Sequence, residues 1–147
     1  MNTHPCKSAL ALLALLLPLA ATAATPEEEA KFVDAVKKAF DERKPAGLSK
    51  LTCWDGISDD ARKKDEETYK LLVDEQKDVT FTFKLVEADL TERKGHHVPP
   101  RPNLKIVKQL DLTMIDVRDN KTILGIIGFA VGEKEGKLLL VKEAPAK

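Results

Sequence analysis

Hydrophobic residues along the chain follow three rhythms in succession. Residues 9–17 contain only Ala and Leu, and Pro18 closes that run. Phe32, Val33, Val36 and Phe40 then recur at the three-and-four spacing of a helix that buries one stripe. A second helical stretch runs from Ser58 to about Glu75. Its apolar face is thin, with Ala61, Tyr69, Leu72 and Val73, so one side is expected in solvent. From Val79 the period drops to two: Val79, Phe81, Phe83 and Leu85 alternate with Thr80, Thr82 and Lys84, the pattern of a half-buried strand. Leu104, Ile106, Leu110, Leu112 and Met114 share one parity and predict a second strand over 104–117. Residues 122–132 are nearly all apolar, which predicts a central strand covered on both faces. A last strand is predicted over 138–142.

Local signals set the boundaries. Thr25, Pro26 and Glu28 form a capping box with Pro at the first helical position, and Glu27 to Glu29 complement the helix dipole. Pro45 and Gly47 are expected to stop this helix, with a helical turn over 48–51. Cys53-Trp54-Asp55-Gly56 reads as a turn, and Ser58 as the cap of the second helix. Glu66 stands four residues from both Arg62 and Lys70, a spacing that favours ion pairs. After Leu85 the apolar parity shifts to Val86, Ala88 and Leu90, which predicts a bulge. Residues 91–103, with three prolines, predict a long extended connection. Asp119-Asn120 predicts a tight hairpin, Gly136 a left-handed turn residue, and residues 144–147 a frayed tail.

The element order is helix, helix, then a four-stranded antiparallel meander, an α+β arrangement with helices packed on one sheet face. This order resembles the cystatin-like and nuclear transport factor 2-like folds, over most of residues 25–143. That resemblance implies a strongly curved sheet that often encloses a pocket, and Gly125 and Gly128 in the third strand suit a bend. Some nuclear transport factor 2-like proteins are isomerases, dehydratases or cyclases with Asp and His in the pocket, and many others are binding or assembly domains. No catalytic motif of either group aligns here. The Gln-x-Val-x-Gly segment by which cystatins block proteases has no match, so protease inhibition gains no support.

Composition adds a compartment. The apolar run is too short for a membrane span, which needs about 20 residues. It ends at Ala21-Thr22-Ala23, small residues at the two positions that a signal peptidase reads. Residues 1–23 are therefore expected to be a cleavable signal peptide and 24–147 a single domain, periplasmic or secreted, with no stable membrane insertion after cleavage. The whole chain carries 24 basic and 24 acidic residues, and loss of Lys7 leaves a net charge of −1. Such a balance, without a basic cluster, argues against nucleic acid and anionic membranes as partners. Cys6 leaves with the leader, so Cys53 is expected to be a lone, buried thiol without an internal disulfide.

Three segments offer candidate chemistry, and each has an ordinary reading. His96-His97 supplies imidazoles, yet neighbours in an extended loop point apart, and a zinc site needs three or four ligands. Trp54-Asp55 joins a carboxylate to a ring that would raise its pKa at a pocket mouth; the ordinary reading is a core anchor and a turn cap. Pro99-Pro100-Arg101-Pro102 is a stiff segment suited to partner recognition or to plain connection. The sequon Asn120-Lys121-Thr122 lies on an accessible predicted hairpin and matters only in a host that glycosylates such sites.

The expected function is that of a non-catalytic binding module. It takes a partner protein or a small apolar ligand on the concave sheet face, with Trp54, Asp55, His96, His97 and Arg101 as candidate contacts. No catalytic residue, metal or cofactor is assigned, and a homodimer through the sheet stays open. The alternative is a pocket enzyme with Asp55 or a loop His as acid or base.

Overall fold

In the computed structural model, residues 23–74, 78–88, 99–119 and 122–145 are described. The first helix, α1 (Pro26–Asp41), starts as its sequence dictates. Thr25 is extended, and its side-chain oxygen accepts from the Glu28 amide at 3.3 Å. The return half of the capping box is missing, because the Glu28 carboxylate turns to Lys31 at 3.1 Å.

The end of α1 differs from expectation. Arg43 takes a left-handed φ of 52°, its amide donates to the Phe40 carbonyl, and the Lys44 amide donates to the Ala39 carbonyl at 2.8 Å. That is a Schellman cap, usually built on glycine. Pro45 does not stop α1 but opens a short second helix, α2 (Pro45–Lys50). A left-handed side-chain residue costs about 1–2 kcal/mol, while glycine costs more entropy on folding. Arg43→Gly should therefore stabilise the protein by about 0.5–1 kcal/mol, measured by urea unfolding. A destabilised variant would mean that Arg43 does more than close the helix.

The third helix, α3 (Asp59–Asp74), begins where the Ser58 hydroxyl accepts from the Ala61 amide at 3.3 Å. The strands follow: β1 (Val79–Glu87), β2 (Ile106–Asp116), β3 (Ile123–Lys134) and β4 (Lys137–Leu140). They pair antiparallel in chain order as a curled half-barrel, with the helices packed against it, so the α+β meander holds. The β1–β2 register runs from Val79 to Glu87 without a shift, so the bulge predicted after Leu85 is absent there. Register shifts fall between β2 and β3, where Val107 and Leu124 are the extra residues.

The β2–β3 connection is wider than a tight hairpin. The Asp116 amide donates to the Thr122 carbonyl at 2.9 Å, and Asp119 accepts from the Thr122 amide. Asn120 and Lys121 lie outside the described residues. Within this turn the Asp116 carboxylate accepts from the Arg118 side chain and amide, both at 2.9 Å. Those bonds lower its pKa from 3.8 to about 2. A depressed acid stabilises the fold above its unfolded pKa and loses that contribution as pH falls, here between about 4 and about 2. An NMR titration should place the Asp116 midpoint near 2, and Arg118→Gln should return it toward 3.8. An Asp116 midpoint that stays near 3.8 in the parent protein would refute the pairing.

The core lies on the concave sheet face. Phe32, Val36 and Phe40 of α1, and Tyr69 and Val73 of α3, are buried against Leu110, Leu112, Val131, Leu138 and Leu140. The Phe40 ring sits 4.7 Å from Phe81 and 5.2 Å from Phe83, centroid to centroid. Where α1 covers it, this face is packed with side chains.

Short bridges close the far side of β4. The Cys53 amide donates to the Leu140 carbonyl at 3.0 Å, and the Leu140 amide to the Leu51 carbonyl at 2.7 Å. Cys53 is buried with a free thiol. The expected frayed tail is instead held at its start. Pro102 and Glu143 form an antiparallel bridge, and the Ala144 amide donates to the Arg101 carbonyl at 2.8 Å. Asn103 ties these pieces together, donating to the Cys53 carbonyl at 2.8 Å and accepting from the Lys142 amide at 2.9 Å.

β3 departs most from its sequence reading. It is a middle strand, but its first half is not covered on both faces: Ile123 is 60% exposed, Leu124 50% and Ile126 46%. Ile123 and Ile126 pair with Ile115 and Thr113, on the sheet face opposite the core residues Leu110 and Leu112, and the strand edge beside them is open as well. β4 pairs only with residues 131–134, and Val141 extends the contact by one bond, to the Ala130 carbonyl at 2.9 Å.

Candidate binding groove

The unpaired length of β3 lies beside a groove of about 450 Å³. Ile57 and the α3 residues Ala61, Lys64 and Asp65 form one wall. Ile127, Gly128, Phe129 and Ala130 of β3 form the other, and Pro99 and Val141 to Glu143 close one end. Successive strand residues point to opposite sheet faces. A groove lined by four in a row therefore runs along the strand's edge and not over one face.

Backbone polarity along that edge follows from one bond. The Ala130 carbonyl faces Val141, away from β2. Backbone groups of an antiparallel strand alternate between its two sides, so the N–H and C=O of Gly128 and Ile126 also face away from β2. Among the described residues, no strand pairs with that side of residues 123–129. On α3, Ala61 and Lys64 line the groove, and Thr68 and Leu71 continue the same helix face at three-and-four spacing. Leu71 is exposed.

Charge is concentrated at one end. Lys142 Nζ lies 3.3 Å from Asp65 and 4.7 Å from the Tyr69 ring centroid. Glu143 pairs with Arg101 at 3.2 Å. Lys64 has no ion-pair partner among the described residues. Behind this end, Thr52 donates to the Leu48 carbonyl at 2.8 Å, so its oxygen accepts from the Tyr69 hydroxyl at 2.9 Å. Burial pushes the Tyr69 pKa above its usual value. The phenol is therefore a neutral donor near pH 7, held as a structural tie.

The residues singled out by sequence fall elsewhere or at the margin. Trp54 is half-buried and its Nε1 donates to the Ser49 carbonyl at 2.8 Å, with the Arg62 guanidinium 5.2 Å from its ring. Asp55 is exposed and paired with Lys134. The hydrogen bond from Lys134, and then its charge, lower the Asp55 pKa, the reverse of the raised value a general base in an apolar pocket would carry. Neither residue lines the groove. Arg101 reaches it only through its partner Glu143. His96 and His97 lie outside the described residues.

Lys64, Asp65, Lys142 and the β3 edge were missed. The charged residues look like any solvated helix or strand end. One signal was available: a predicted third strand over 122–132 beside a fourth over 138–142 leaves the longer strand half unmatched. A second hollow, of about 600 Å³, lies between α1 and α2 and is lined by the lysines Lys38, Lys44 and Lys50 around Glu42.

Among the described residues, no group of three or more His, Cys, Asp or Glu is placed to hold a metal ion, and no helix is long and apolar enough to cross a membrane. Compared with known proteins, the chain matches no family model, no curated protein and no solved structure.

Proposed function

We propose that this protein is an exported binding module that captures an extended segment of a partner protein by strand addition along the open half of β3. One observation carries the reading: the outward N–H and C=O groups of Ile126 and Gly128 lack a strand partner among the described residues, beside a groove walled by α3. In strand addition the backbone supplies affinity and alternate side chains supply specificity. Ile127 and Phe129 offer apolar contacts on one side of the edge. Lys64, without an ion-pair partner among the described residues, calls for one acidic residue in the guest. The preferred guest is therefore an extended peptide in which apolar residues alternate and one carboxylate meets Lys64. The four backbone groups of Ile126 and Gly128 contribute about 0.5–1.5 kcal/mol net each, short of the roughly 8 kcal/mol of micromolar binding, so the apolar and Lys64 contacts must supply the rest and offset the cost of ordering the guest.

The test is a panel of synthetic peptides that alternate apolar and polar residues around one glutamate, followed by amide exchange. Binding should slow exchange at the Ile126 and Gly128 amides. Ile126→Pro removes an outward N–H without removing a β2 hydrogen bond, and should abolish binding. Lys64→Glu, on an exposed helix face, should weaken binding about tenfold while leaving the melting temperature unchanged. Slowed exchange in the protein alone, rising with its concentration, would instead mean that a second copy fills the edge. Peptide binding that survives Ile126→Pro would remove the strand-addition reading.

A further inference from the structure

We infer that the Ala23–Ala24 peptide bond is the processing site of this chain and that Glu133 is the receptor for the amino group released there. The inference rests on the export reading above and is independent of the peptide groove.

Two lines of observation meet at this bond. From the sequence, Ala21 and Ala23 place small residues at the positions a signal peptidase reads, after an apolar run. From the structure, burial changes across this bond. Ala23 is exposed, whereas Ala24 is half-buried and packs on the core. The Ala24 nitrogen donates to Glu133 Oε2 at 2.8 Å, across 109 residues of sequence. Glu133 is itself half-buried, and among the described residues it has no Lys or Arg ion-pair partner. Its neighbour Lys134 is taken by Asp55. A half-shielded carboxylate without a cation thus points at the one backbone nitrogen that cleavage would make cationic.

The chemistry is a hydrolysis. Water is the co-reactant, and a signal peptidase is the catalyst. The bond between the Ala23 carbonyl carbon and the Ala24 nitrogen breaks. Hydroxyl from water goes to the Ala23 carbonyl, leaving a carboxylate on the leader. The Ala24 nitrogen gains a proton from water and a second from solvent, giving an ammonium. Before cleavage this nitrogen offers Glu133 one amide hydrogen. That bond is already charge-assisted on the acceptor side, and cleavage adds the second charge, turning it into a hydrogen-bonded ion pair. An ammonium so close to the start of α1 is opposed by the positive end of the helix dipole, so Glu133 and the acidic first turn also offset that repulsion.

The experiment has two stages. First, the exported product of the full-length precursor is analysed by intact mass. The expected product starts at Ala24, and one starting at any other residue overturns the inference. Second, that product is compared in thermal unfolding with its Nα-acetylated form and with a form that retains Ala23. Both changes should lower the melting temperature by about 3–6 °C, the shift that follows from roughly 1 kcal/mol in a domain of this size. In Glu133→Gln the difference between free and acetylated termini should vanish. If Glu133→Gln does not fold, the form that retains Ala23 carries the test alone, because it displaces the ammonium by one residue with Glu133 intact. Equal melting temperatures for the free, acetylated and extended forms would overturn the role of Glu133, while a product starting at Ala24 would leave export standing.

Discussion

Phe40→Ala should cost about 3–5 kcal/mol of stability and leave the protein marginally folded. The Phe40 ring is 7% exposed and bridges α1 to β1 through Phe81 and Phe83. Truncation removes the transfer energy of the ring and two favourable aromatic contacts. It also opens a cavity that neighbouring side chains fill only in part, because Val36 and Leu112 are themselves held on all sides. Urea unfolding measures the loss. Phe40→Leu, which keeps most of the volume, should cost about 1–1.5 kcal/mol. A cost below about 1 kcal/mol for Phe40→Ala would mean that α1 is not docked on the concave face.

Gly132→Ala should cost about 2–3 kcal/mol by overpacking, and Gly132→Val more. A Cβ at Gly132 would lie 2.7 Å from Leu104 Cβ, 2.9 Å from the Lys105 carbonyl oxygen and 3.0 Å from Val141 Cγ2. Two of these neighbours sit on or beside the backbone and cannot rotate away. Relief would require β2 to shift where residues 104–105 approach β3. Gly125→Ala is the control. There the added methyl meets only the Cε of Met114, at 2.6 Å, the far end of a flexible side chain. It should cost under about 1 kcal/mol. Equal costs at the two sites would mean that the chain crossing at Gly132 is looser than described. Thermal unfolding of the two variants side by side decides it.

These two sites show what was legible in the sequence. The Phe32, Val36 and Phe40 stripe identified the buried face of α1, and the alternation from Val79 to Leu85 identified β1 and its inner residues. Both signals are strong because burial on one side only leaves a mark on every second or every third-to-fourth residue. The bulges left none. Val107 follows Ile106 and Leu124 follows Ile123, so an extra apolar residue beside another does not disturb the pattern. The end of α1 was misplaced because Arg43 fills a position where glycine is the usual sign. Gly125 and Gly128 are the bend glycines that the sequence suggests, whereas the approach that no flexible side chain can relieve is at Gly132, which no local pattern reveals. The groove was hidden for a similar reason. Its walls come from α3 on one side and from β3 with the segment after β4 on the other, and α3 is far in sequence from both. Only the unequal lengths of the last two strands foretold it.

That inequality has a consequence for the chain before it folds. Residues 123–129, Ile-Leu-Gly-Ile-Ile-Gly-Phe, carry no charge and no proline, and most have high strand propensity. In the folded protein, β2 holds one side and α3 stands near the other. In the chain before it folds, nothing shields this segment, and identical copies can stack on one another as cross-β fibrils. The two glycines temper that tendency, as do the charges that resume at Glu133. Any change that loosens the fold, Phe40→Ala foremost, should therefore appear in the cell that makes the protein as insoluble material, measured as the share of chain in the pellet after lysis.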